Sequence, residues 1–468
     1  MVCDKYEIRI GNILALFWNT NNESEYLHFA DGDLRMKKSL FALAALGAFA
    51  GTAQAQSSVT IYGNLDATEA YISSSANKSV ALTHAANTTP IWGLTGSEDM
   101  GGGLKTGFDL KSEINLGTGQ TGSTTSGVTP GATTAYTAGG NANLFTRGAN
   151  VFISSASMGE VKVGRMDDIE WAMSGRYSTS NSNSFGSNQG HAQIGNIVST
   201  GLGSCAALTA APTTYQGLCG IAGLTTQNYA YMGTSDAFMT GVQYKTPSFA
   251  GFTVTAQTGL GANSALQGYN VGQQQGVSIG YQGMGGALNA DLALSKRFDD
   301  AGQLGMTLTS LGVKYKATNS ITLTGLYTTT SVVGQSYQAP TAASATLPYN
   351  PGVHGNDMWS VGVNYQATPA ADVSLAYTNL ADNSTLGSAN SVAMLGLTAR
   401  YAFSKRTSVY GGVGQANNSG AFFMSPIYGG ATQNATIAQN SYNGGQAAAT
   451  NGVGANITAA MFGLRHTF

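Results

Sequence analysis

A dense acidic group stands at Asp167-Asp168-Ile169-Glu170, with Lys162 and Arg165 just upstream. Three neighbouring carboxylates could hold Ca²⁺, which takes six to eight oxygens from carboxylates, carbonyls and water. No spaced series of further oxygen ligands follows, so fixed charge facing a polar gap is the preferred reading and no metal site is expected. Asp99-Met100-Gly101-Gly102-Gly103 has the glycines of a phosphate loop. It lacks a following Lys-Ser/Thr and a helix, and so reads as a tight turn. The five histidines, His191, His354 and His466 among them, form no ligand pair and no Ser-His-Asp arrangement. A hydrolase would need an activated nucleophile with a base and an orienting group. None is visible, so neither catalysis nor a cofactor is expected.

Composition says what kind of scaffold carries these charges. Of 468 residues only 9% are charged, 42% are hydrophobic, 63 are Gly and 9 are Pro. A soluble multidomain protein carries roughly 25% charged residues. Disorder does not fit the apolar content, and no stretch approaches the ~20 consecutive apolar residues of a membrane helix. The net charge of −2 gives no basic footprint for nucleic acid. A transmembrane barrel, with one apolar face and one polar but uncharged face, accounts for the composition.

Residues 36–55 read as a signal peptide. Met36-Lys37-Lys38 is the positive region, Leu40 to Ala50 the apolar run, and Ala53-Gln54-Ala55 the small-x-small site. Cleavage is therefore expected between Ala55 and Gln56. The competing reading of Leu40 to Ala50 is a buried core helix. Residues 1–35 carry no such pattern and read as an upstream extension from a mis-assigned start codon; residues 56–468 read as one barrel domain. Cys205 and Cys219, in a Gly/Ala/Thr-rich segment, are candidates for a disulfide in an exported chain. The alternative is two free buried thiols, but a polar loop offers no core to hide them.

Period-two alternation runs through the barrel region, as in Trp359-Ser360-Val361-Gly362-Val363-Asn364-Tyr365. It predicts an all-β antiparallel barrel of about sixteen strands, the first at 58–71, the second at 89–98 and the last at 459–468. Short turns such as 99–103, 157–160 and 247–251 alternate with long polar segments at 117–143, 167–237, 331–357 and 417–458. Membrane barrels show this arrangement, with turns on the periplasmic side and loops outside. Sixteen strands enclose too much space for side chains to fill, so a water channel follows. Lys162 is then a pore-facing or rim cation, and the pore is favoured because a lipid-facing Lys near the midplane costs ~2–4 kcal/mol. Tyr62, Trp92, Tyr244, Tyr281, Trp359 and Tyr401 are candidates for interfacial girdles.

Seven patches resemble the general trimeric porins of β-proteobacteria: SSVTIYGNLD from Ser57, WGLTGSEDMGGGLKTGFDL from Trp92, FTRGANV from Phe145, GEVKVGR from Gly159, VQYKTPSFAGF from Val242, YAFSKRTSVYGG from Tyr401 and FGLRHTF from Phe462. The resemblance implies a homotrimer whose third loop folds into each pore, starting after Gly164-Arg165. It places the acidic opening Asp167, Asp168 and Glu170 opposite basic wall residues, chiefly Arg147 and Arg165. Facing charges across a narrow aqueous gap set ion preference. The family's Ser-Arg before the second strand's Trp/Phe-Gly is Pro90-Ile91 here, and Ala237 stands where another Arg is usual. Weak selectivity is therefore expected. Alternating Phe462, Leu464, His466 and Phe468 look like the C-terminal signal read by the barrel-assembly machinery. The other expected partners are outer-membrane lipid and lipopolysaccharide, with ions and small hydrophilic solutes as cargo. The expected function is passive diffusion through the outer membrane of a Gram-negative bacterium. A substrate-specific channel and a barrel adhesin are the alternatives.

Overall fold

Residues 58–74, 78–83, 85–117, 119, 121, 144–187, 238–259, 273–298, 304–332, 356–382, 391–419, 424–427 and 456–468 are described by the structure, a computed structural model. The expected signal peptide with its expected Ala55/Gln56 cleavage site, residues 1–35, Cys205, Cys219 and Ala237 lie outside these residues.

Seventeen strands form one antiparallel sheet: β1 (Ser58–Ser73), β2 (Lys78–Thr83), β3 (Ile91–Gly101), β4 (Leu104–Glu113), β5 (Gly148–Ser155), β6 (Gly159–Asp167), β7 (Phe238–Lys245), β8 (Phe252–Gly259), β9 (Gln274–Gly283), β10 (Leu288–Phe298), β11 (Leu304–Lys316), β12 (Ile321–Val332), β13 (Asn356–Thr368), β14 (Ala371–Asp382), β15 (Ser391–Ala402), β16 (Thr407–Ser419) and β17 (Ile457–Thr467). Neighbours in sequence are neighbours in the sheet. The ring closes where β1 pairs with β17, from Asn64↔Thr467 to Ser73↔Thr458. Reciprocal backbone bonds between Gly63 and Phe468, at 3.1 and 3.0 Å, finish the seam.

The expected second strand is extended by a separate stretch. β2 pairs with the far half of β1 (Thr68↔Thr83) and β3 with its near half (Asn64↔Ile91), so both share one wall position and the barrel has sixteen. Between them, residues 85–90 leave the wall. Asp66, buried on β1, holds them: its Oδ2 accepts from Asn87 Nδ2 (2.8 Å), Thr88 N (3.1 Å) and Thr88 Oγ1 (2.6 Å). Its Oδ1 accepts from Thr68 Oγ1 (3.1 Å) and from the Tyr410 hydroxyl.

The two faces separate by chemistry. Ile61 (63% exposed), Val361 (50%), Leu395 (51%) and Phe462 (65%) belong to a continuous apolar outer belt. A water-soluble protein could not leave such a belt uncovered, whereas lipid covers it. The other face is small and polar, with hydroxyls bonded across strands, such as Ser310 to Thr328 (2.9 Å) and Ser360 to Thr378 (2.8 Å). Aromatic pairs Phe252–Tyr281 and Tyr401–Phe403 stand near the strand ends, where amphipathic rings suit a membrane boundary, and Trp359 packs on Tyr377 further along β13 and β14. Trp92 packs on Phe145, and the Tyr244 hydroxyl donates to the Met158 carbonyl. Tyr62 is not a girdle residue. Because Ile61 faces outward, Tyr62 faces inward, and its hydroxyl donates to Asp109 Oδ1 at 2.5 Å. Asp99 to Gly103 forms the β3–β4 turn. Three successive positive φ angles (80°, 61° and 79°) explain its three glycines.

Candidate functional site

After β6 the chain enters a strap, residues 168–187, that runs over the small-residue face of the sheet. It begins with helix α1 (Ile169–Arg176). Asp168 is the N-cap, accepting from Glu170 N at 2.6 Å, with Glu170 in the first turn and Arg176 in the last, each sign matched to the helix dipole. The remaining contacts run strand by strand. Arg297 Nη2 of β10 donates to Asp168 Oδ2 at 3.1 Å, and both side chains are almost fully buried. Ser295 and Ser310 donate to the two Glu170 oxygens at 3.1 and 2.5 Å. Arg176 and the Tyr177 hydroxyl both donate to Asp291 Oδ2, at 2.6 and 2.5 Å. Thr179 bonds Thr324 of β12 at 2.6 Å.

Glycines make room for the strap. A Cβ at Gly312 would overlap the Tyr177 ring, and one at Gly362 would overlap Thr179. Gly396, Gly412 and Gly414 together seat Phe185, which is 1% exposed. Phe185 has a φ of 58°, an unusual backbone for a bulky residue, and holds it with a bond from its N to the Pro426 carbonyl (3.0 Å). Just before it, Asn183 Nδ2 donates to the Ala85 carbonyl (2.9 Å) and Ser184 Oγ to that of Ala86 (2.5 Å). The strap thus follows the wall from β10 round to β16 and fastens to residues 85–90.

The predicted charges fall into different settings. Asp168 and Glu170 do not stand opposite Arg147 and Arg165; their partners come from β10 and β11, and they anchor the strap. Arg147 Nε instead binds Glu113 Oε2 at 2.5 Å, and Arg165 Nε donates to the Thr146 carbonyl. Ile91 lies in register with Glu113 on the same face, where the family's arginine would be. Asp167 is exposed. It joins Lys162, Arg176, Gln243, Lys245 and Asp291 around a cavity of about 200 Å³ between α1 and the uncovered wall. Lys162 is 3.4 Å from Glu160. Of the C-terminal residues, Phe462 and Leu464 face outward and exposed, and His466 Nδ1 pairs with Thr407 Oγ1 at 2.9 Å. Sequence reading overlooks Asp66, Asp291 and Arg297. Their signal is an inward place in the alternation, which marks a charge as either paired or wet.

Burial pushes the Glu170 carboxyl up from 4.5 to about 7; the serine donors and Arg297 oppose this, and the Asp168 charge reinforces it. A carboxyl raised in the folded state binds more protons there than when released. Its stabilisation is therefore complete below about 4.5 and lost as pH rises through about 7. Limited proteolysis of the strap in the folded barrel should be slower at pH 5 than at pH 8. Glu170→Gln should flatten that difference.

Comparison with known proteins agrees with this architecture. The family model described as Gram-negative porin matches residues 42–421. Outer membrane porin protein 32 of Delftia acidovorans is 49% identical over 81 residues, 17% of this chain and 23% of that protein. An outer membrane porin protein of Bordetella pertussis is 28% identical over 241 residues, 48% of each chain. The chain thus spans at most about half the length of these curated relatives. Among solved structures, the anion-selective porin from Comamonas acidovorans superposes with a TM-score of 0.59 at 21% identity, covering 88% of this chain and all of that one. OmpT of Vibrio cholerae does so at 0.51 and 12%, covering 89% and 100%. At these identities the likeness is one of fold. The chain belongs to the Gram-negative porin family and is a β-barrel protein of the outer membrane.

Proposed function

We propose that the barrel passes ions and small hydrophilic solutes by passive diffusion, through a lumen that the strap narrows against the wall of β6–β9. The observation that carries this reading is the strap's one-sided seat on the inner face. It covers β10–β16 and leaves a polar cavity on the opposite side lined by Lys162, Gln243, Lys245, Asp167, Arg176 and Asp291. A channel needs no more than this: a wet path, a fixed width and charged groups along it. The family and fold point to a channel rather than an enzyme.

Selectivity should be weak. Three cations meet two acids around the cavity, and Arg176 is already bound to Asp291. Arg147 is neutralised by Glu113. The reversal potential in a KCl gradient tests this: a small value is expected, and a near-ideal anion or cation channel would contradict it.

The same reading covers the chain's processing and assembly. Residues 36–55 are proposed to be removed between Ala55 and Gln56, with residues 1–35 absent from the exported protein. Cys205 and Cys219 are proposed to pair after export. Phe462, Leu464, His466 and Phe468 are proposed as the segment recognised by the assembly machinery, and lipid with lipopolysaccharide as the surroundings of the belt. A homotrimer is proposed as the assembly; a trimer form of the Vibrio cholerae OmpT is among the similar structures.

A further inference from the structure

Charges on the inner face are unevenly distributed along the barrel axis. Six inward cations from six strands lie within four residues of the short-turn end. Lys105 is the second residue of β4, Lys162 the fourth of β6 and Lys245 the last of β7. Lys314, Arg400 and Arg465 are each third from the end of β11, β15 and β17. Each has an independent sign of facing the lumen. Lys162 and Lys245 line the cavity. Lys314 Nζ reaches the Arg176 carbonyl at 3.5 Å, and Arg400 grips the buried Asp372 at 2.7 Å. Arg465 stands in register with the buried Asp66, and Lys105 alternates with Asp109, which Tyr62 contacts from within.

The acids at this level are fewer. Among the described residues they are Asp99, opposite Lys105 in register, Glu160 beside Lys162, Asp372 beside Arg400, Asp66 in register with Arg465, and Asp291, which Arg176 of the strap grips. With Arg176 included, seven cations against five acids leave an excess of two positive charges on a ring with a low-dielectric wall. Such a ring focuses its field into the opening and raises the local concentration of counter-ions. Debye screening reaches about 10 Å at 0.1 M salt, so the ring acts across the mouth in dilute salt and fades in concentrated salt. Lys162 and Lys245 also line the constriction, so the collar's own contribution is read from Lys105, Lys314 and Arg400, which do not.

We infer that the turn-side mouth is a cationic collar that captures small polyvalent anions ahead of the constriction. The inference rests on the barrel being a conducting pore. A single univalent ion gains little from a dispersed excess of two charges, but a compact polyanion meets several cations at once. Capture should therefore be visible as block from one side of the membrane.

The test uses the full-length exported barrel in planar bilayers in dilute KCl, with inorganic tripolyphosphate added to one chamber at a time. Current reduction from one chamber only is expected, and it should disappear in concentrated salt. The triple variant Lys105→Gln/Lys314→Gln/Arg400→Gln should need about tenfold more tripolyphosphate for the same reduction, because the screened attraction scales with the charges removed. Lys105→Arg/Lys314→Arg/Arg400→Lys, which keeps every charge, should block like the parent. Equal block from both chambers, or block that survives loss of the three charges, overturns the collar while leaving the pore intact. Silent bilayers with folded barrel overturn both.

Discussion

Replacing Arg297 by leucine should release the strap and raise single-channel conductance while the barrel stays closed. Arg297 and Asp168 are 4% and 0% exposed, and the pair spans the gap between the wall and the first turn of α1. Removing one member of a buried ion pair costs about 3–5 kcal/mol, because the other is left charged in a poorly solvated place. Asp168 would retain only its bond from Glu170 N, and Glu170 stands two residues away with a carboxyl already raised by burial. Without the guanidinium the Asp168 charge is left unbalanced and Glu170 is pushed further toward its neutral form, and the helix end they occupy is the strap's entry point. None of the strand pairing depends on this contact, since β10 is bonded along its length to β9 and β11. Retained heat-modifiable mobility on gels, together with larger and noisier conductance steps, is the expected result. Unchanged conductance in a folded Arg297→Leu barrel would remove the strap from the account of the pore.

Gly396→Val should have a comparable effect from the other end. A Cβ at this position would sit 2.8 Å from the Phe185 carbonyl oxygen and 3.0 Å from its Cα, and closer still to its Cβ. The opposing atoms are mostly backbone, so a rotamer change cannot relieve the contact. Overpacking of this kind costs about 1–3 kcal/mol, and here the strain falls on a residue already held at a φ of 58°. Phe185 also carries the bond to Pro426 and neighbours the bonds to Ala85 and Ala86. Its displacement therefore loosens three infolded segments together. Gly396→Val should accelerate protease cleavage between residues 177 and 187. Adding Phe185→Ala should not restore the parent's protection, since the collision is largely with backbone.

Much of the wall is legible from alternation alone, because a sheet with lipid on one face and water on the other must sort side chains by parity. That is why the last strand, expected at 459–468, runs over Ile457–Thr467. Lys78–Thr83 escapes because it has only six residues and its inward members, Ser79, Ala81 and Thr83, are small. Residue type alone puts Tyr62 in a girdle, although Val59 and Ile61 already place it on the inner face. The acidic run shows the harder limit. Composition and spacing identify Asp167, Asp168 and Glu170 as a charged entry to the strap. They do not say that a helix starts at Asp168, which turns Asp168 and Glu170 into the wall and leaves Asp167 exposed. The glycine seat is likewise present as Gly312, Gly362, Gly396, Gly412 and Gly414. Its meaning needs the strap, since glycine is frequent throughout this chain.

The central claim is an aqueous path through a single closed barrel, narrowed by the strap. Single-channel recording of the purified, folded protein in planar bilayers tests it most directly. Insertion should produce discrete, ohmic conductance steps, grouped in threes if the proposed trimer forms, that scale with salt concentration as a water-filled pore requires. Folded protein that inserts and leaves the bilayer silent would contradict the account.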